Sequence, residues 1–153
     1  DSLVRNADGG GNEHNALKFT FAAFDNIFDE YYHSPGNEDA ALIRAFEVML
    51  KKFRDDKAFI ASFESMVDAT HNGIITIAYK ECQLKESDLY LYAFMVAEIS
   101  YSTICVIFDV NLPAIYNRVK RLKTRILESN PEHKNEIMCH MTNRPTNKTR
   151  RTY

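Results

Sequence analysis

Apolar residues recur along much of this chain at alternating intervals of four and three, the period of one face of an α-helix. In "NALKFTFAAFDNIFDEYY" the stripe is Leu17, Phe21, Phe24, Phe28 and Tyr31. "SPGNED" breaks it, and Asn37 can cap the next helix, where Leu42, Phe46, Met49 and Phe53 repeat the spacing. After "RDD", Ile60, Phe63, Val67 and Ile74 predict a third apolar face, with Phe59 and Met66 beside it. "GIITIAY" alone would suit a strand. The stripe runs through it, past Gly73, so the segment is assigned as helix.

Three further helices are predicted in "LKESDLYLYAFMVAEISYSTICVIFDVNLPAIYNRVKRLKTRI". The first follows Ser87 and buries Leu89, Tyr92, Phe94 or Met95, and Val96. Ser100 can cap the second, which turns Ile104, Ile107 and Phe108 inward. Asn111 can cap the third, and Pro113 falls in its first turn, where a missing N–H leaves no bond unmade. Two short helices, a tight turn and a basic amphipathic helix form a helix-turn-helix pattern. Pro131 can start a short fourth helix with Ile137, Met138 and Met141 on one side. The fold class expected is therefore all-α.

Spacing on the third helix separates two faces. Ile115, Val119, Leu122 and Ile126 fall within about 60° of one another and make the core face. Asn117, Lys120, Arg121 and Thr124 lie opposite, Tyr116 and Lys123 flank one edge, and Arg118 and Arg125 flank the other. No residue from 111 to 126 is acidic. A merely solvated helix face usually mixes both signs, because i,i+4 pairs help it; this one does not.

Charge sharpens that picture. The formal net charge of the 153 residues is only -2. Residues 1–83 nevertheless hold 8 Lys/Arg against 14 Asp/Glu, and residues 84–153 hold 11 against 7. An acidic half thus precedes a basic half, the asymmetry of a nucleic-acid-facing module joined to something else. Composition is otherwise ordinary for a globular chain, 45% apolar and 26% charged. No apolar run reaches the roughly 18 residues that a membrane span needs. The chain starts at Asp1 with no apolar signal region, so it reads as a processed or excised piece of a larger protein.

Candidate chemistry is sparse. Cys82, Cys105 and Cys139 are odd in number and far apart, which fits reduced thiols in a cytoplasmic setting. Cys139 and His140 with His133 nearby lack the paired spacing of metal ligands. Asn147-Lys148-Thr149 matches a glycosylation sequon by three residues alone. With no phosphate loop, nucleophile elbow or HExxH, no catalytic residue, cofactor or metal site is expected, and the chain is not expected to be an enzyme.

The stretch 84–126 resembles the LuxR/NarL-type helix-turn-helix of bacterial transcription regulators. It is closer still to a variant at the C-terminus of Bacteroidetes regulators that carry tetratricopeptide repeats, a membrane segment and a helical linker. The residues that carry the resemblance are "LKESDLYLYAFM", "ISYSTICVIFDV" and, most specifically, "IYNR..RLK..I". "FDEYYHS" and "KKFRDDKAFIASFESMVDATHNGI" look more weakly like the linker, so the likeness runs from about residue 17 onward. Two positions depart from it: the family usually has Gly where this chain has Glu98, and a Thr cap where it has Lys85.

The resemblance implies a sequence-specific, double-stranded DNA-binding regulator. Tyr116, Asn117 and Lys120 would take the base-reading positions. Arg118, Arg121, Lys123 and Arg125 are placed for phosphates, where they add affinity without reading sequence. Tyr101, Ser102 and Thr103 would start a scaffold helix and donate to the DNA backbone. The expected organisation is a segment 1–14, a coiled-coil-like helical linker 15–83, a four-helix DNA-binding domain 84–142 and a basic tail 143–153. Phe21, Phe24, Phe28 and Phe46 are expected to hold a homodimer, with a fragment of residues 84–153 folding by itself. The location expected is the cytoplasm, or the cytoplasmic part of a membrane-anchored regulator. The alternative reading is a helical protein-interaction module that keeps this fold without binding DNA.

Overall fold

The computed structural model describes residues 40–142, and every regular element among them is a helix. In chain order these are α1 (Ala40–Asp55), α2 (Lys57–Thr70), α3 (Ile74–Cys82), α4 (Glu86–Val96), α5 (Tyr101–Phe108), α6 (Leu112–Ser129) and α7 (Lys134–Thr142). The expectations for Phe21, Phe24 and Phe28, for a coiled-coil-like start, and for the segments 1–14 and 143–153 lie outside the described residues. None of the helices described is long and apolar enough to cross a membrane.

Local chemistry explains most helix ends. Asp56 closes α1 and opens α2, its carboxylate accepting from the Phe59 N–H at 3.1 Å. Ser100 Oγ accepts from Thr103 N at 3.2 Å to open α5. Asn111 Oδ1 accepts from Ala114 N at 3.0 Å to open α6, with Pro113 in the first turn. After α4, Glu98 adopts φ 59 while its N–H reaches Met95 O and the Ile99 N–H reaches Phe94 O, both at 3.1 Å. That is the Schellman arrangement, with a left-handed residue just past the helix. Asp109 repeats it after α5 at φ 57.

One helix expected as continuous is two. The stripe from Ile60 to Ile74 is cut by Asn72 and Gly73, both left-handed at φ 57 and φ 74. Asp68 fastens the corner, accepting from Thr76 N at 2.9 Å and Thr76 Oγ1 at 2.8 Å. The chain then resumes as helix through "GIITIAY", burying Ile74, Ile75, Ala78 and Cys82.

The centre is α4. Every residue from Leu91 to Val96 is buried, and the helix packs on α2, α3, α6 and α7. Phe94 meets Phe63 at 5.0 Å, Tyr90 at 4.6 Å, and Phe53 and Phe108 at 5.9 Å each. These rings join α1, α2, α4 and α5. Tyr90 donates to Phe53 O at 2.5 Å, and Tyr92, buried, donates to Ile137 O on α7 at 2.9 Å. The division expected between residues 83 and 84 therefore falls inside one continuous core and is not a break in packing. Phe46 belongs to that core at 5% exposure, so it is not a partner-facing surface.

Candidate nucleic-acid interface

Helix α6 is held by one face. Ile115, Val119, Leu122 and Ile126 are all buried, as their spacing dictates, and the opposite side is open. Asn117, Lys120, Arg121 and Thr124 are exposed there, and Tyr116 keeps 41% of its surface. Thr124 donates to Lys120 O at 3.1 Å, so its hydroxyl is turned back on the helix. Lys123 is half-buried at the edge. Residues expected on one open surface are thus brought together along about three turns.

Arg118 and Arg125 occupy one edge, Arg121 lies between that edge and the open side, and the three differ among themselves. Arg118 lies over the Phe108 ring, 5.4 Å from its centroid. Arg125 is paired with Asp88 from the first turn of α4. Arg121 has no ion pair or hydrogen bond from its side chain among the described residues. Together with Ser87 and Asp88 these three line a recess of about 300 Å³. A neighbouring cavity of about 380 Å³ shares Arg118 and adds Arg54 and Tyr90.

The start of α5 departs from expectation. Tyr101, Ser102 and Thr103 are buried at 7%, 0% and 2% exposure, so their side chains do not form an open first turn. Helix α5 packs against both α1 and α6, with Ser100 itself fully buried and its Oγ 2.8 Å from Thr103 Oγ1. The Tyr101 ring meets Tyr116 edge-on at 5.3 Å and 84°, which braces the base of α6.

Two contacts had no signal in the sequence. Asp88 and Arg125 are 37 residues apart, and no periodicity joins them. Arg54, on the predicted core helix, turns its guanidinium to the C-terminus of α5 and donates to Ile107 O at 2.9 Å and Val106 O at 2.6 Å. A cation at that end of a helix meets the orphan carbonyls and the negative end of the dipole.

Other titratable groups gather elsewhere. Glu81, Glu132 and His133 bring potential ligand atoms within 4.8 Å of one another, rather than His133 with Cys139 and His140. The geometry is that of a cap on α7: Glu81 accepts from the His133 N–H at 2.8 Å and meets its ring Nδ1 at 2.5 Å. The backbone bond from His133 holds the Glu81 carboxyl below its usual range, and the carboxylate in turn raises His133. His140 is pushed down by burial and by His71, whose ring is 5.9 Å away. Cys82 and Cys105 are buried free thiols, and burial pushes Cys105 up to about 11. Neither thiol has the electropositive, open setting of a reactive cysteine.

No protein-family model, curated protein or solved structure matches this chain.

Proposed function

We propose that this protein is a sequence-specific, double-stranded DNA-binding transcription regulator of the LuxR-like helix-turn-helix kind, with α6 as the recognition helix and no catalytic role. One observation carries the reading: α6 is anchored by a fully buried stripe while its open side is basic and polar with no acid from Asn111 to Ile126. Asn117 and Lys120, both exposed on α6, would reach base edges; Asn can pair with adenine and Lys with guanine through the major groove. Arg118, Arg121 and Lys123 would position the duplex through its phosphates. Helix α5 would be the scaffold, joined to α6 by the short turn from Asp109 to Asn111. A homodimer on paired half-sites would supply the specificity that one such unit lacks.

The burial of Tyr101, Ser102 and Thr103 favours the second reading, a protein-interaction module, because it removes the backbone contacts expected from the scaffold helix. Selection from random duplexes by gel shift separates the two. With roughly four phosphates engaged, the log–log dependence of affinity on salt should have a slope on the order of -4 per protomer. Lys120→Ala should then lose about 1–3 kcal/mol on the best site and relax preference at one position. A slope near zero, or a uniform loss across all sequences, rejects the assignment of α6 as a reading helix.

A further inference from the structure

Arg118, Arg121 and Arg125 stand at i, i+3 and i+7, so they lie within about 60° of one another along one side of α6. Among the described residues, the recess of about 300 Å³ beneath them is lined by a single carboxylate, Asp88, against three guanidinium groups, an excess of two positive charges. Neighbouring like charges on a helix repel, so the crowding works against the fold unless an anion offsets it. The three are also held differently. Arg118 is fixed over Phe108, Arg125 is occupied by Asp88, and Arg121 has no side-chain partner among the described residues. Planar forks converging on one concavity match the oxygens of a phosphate group better than they match a halide or a lone carboxylate. Ser87, on the facing wall, adds a hydroxyl donor.

We propose that this recess is a phosphate-binding pocket in which Asp88 is the internal counter-ion that competes with phosphate for Arg125. The chemistry is the same whether the phosphate belongs to a duplex backbone or to a small phosphorylated ligand. The inference rests on the charge and shape of the recess, and it stands or falls independently of the DNA reading.

The test is a titration of the full chain with inorganic phosphate and pyrophosphate, ionic strength held constant with chloride, following the arginine Nε–Hε signals. Saturable shifts are expected at Arg118 and Arg121. Arg121→Gln should weaken binding about tenfold, as loss of a charge-assisted bond does. Asp88→Asn should tighten it about two- to fivefold, the worth of a partly exposed ion pair. Far-ultraviolet circular dichroism of each variant verifies that it is folded. A phosphate response no larger than that of chloride, or one unchanged in both folded variants, overturns the proposal. A selected duplex distinguishes the source: competition with phosphate places the DNA backbone in the pocket, and simultaneous binding points to a small ligand. Phosphate binding without any duplex binding leaves the pocket and removes the DNA reading. Duplex binding with all three arginine signals unmoved by phosphate removes the pocket alone.

Discussion

Glu98 is the residue at which local chemistry and fold disagree most openly. It holds φ 59, a conformation that crowds a Cβ against its own carbonyl, and it is exposed, with no buried packing to offset the strain. Glu98→Gly should therefore raise stability by about 1 kcal/mol, measured by the urea midpoint at unchanged m-value. Glu98→Ala is the control. It keeps the Cβ, so a gain as large as that of glycine would trace the effect to charge rather than to backbone. The caps at Ser100 and Asn111 were legible in the sequence, because a short polar side chain before an apolar stripe has one local use. The burial of Tyr101, Ser102 and Thr103 was not legible: a hydroxyl in a first turn looks the same in sequence whether it faces solvent or the interior.

Among elements, α6 was fully legible and α4 was not. The stripe of α6 has one buried side and one wet side, so its period shows in the sequence. From Leu91 to Val96 helix α4 is buried all round, so this part has no polar face to mark its rotation. The corner between α2 and α3 was missed for a related reason. Asn72 and Gly73 are weak breakers by themselves, and the bonds that Thr76 donates to the Asp68 carboxylate complete the turn. Helix α5 has only eight residues and ends on carbonyls that Arg54 of α1 covers. Arg54→Met keeps the packing stem and deletes those two bonds, so it should cost about 1–2 kcal/mol in chemical denaturation. A change below a few tenths would show that water replaces the guanidinium there without penalty.

At the scale of the whole molecule, the shared core changes what a fragment should do. Phe53, Phe63, Met66, Val67, Ile74 and Ala78 all precede residue 84 and are buried with the central helix. A fragment of residues 84–153 would expose the other side of that core, so it should lack a cooperative urea transition, contrary to the independence expected from sequence. A sigmoidal unfolding curve for that fragment would restore the linker-plus-domain picture. The cap joining α3 to α7 should also tie stability to pH. Glu81, held below the ordinary carboxylate value of 4.5, contributes above that pH and loses its effect as the carboxylate protonates. His133, raised above 6.5, contributes fully below that pH and loses its effect as the ring deprotonates. The pair therefore helps most between pH 4.5 and 6.5. Stability should fall from pH 6.5 upward, more in the natural chain than in Glu81→Gln, when followed by urea midpoints across that range. Parallel profiles for the two proteins would show that His133 is not coupled to this carboxylate.

By itself the sequence determined the helical class, the buried stripe of α6 and its unopposed basic side, since periodicity and composition are properties of neighbours along the chain. Only the tertiary structure decided which helices share a core, that Phe46 is inside it, that Asp88 meets Arg125, and that Arg54 finishes α5. Those contacts join residues dozens of positions apart. Their partners are chosen by how side-chain volumes fill a common interior, which no local spacing records.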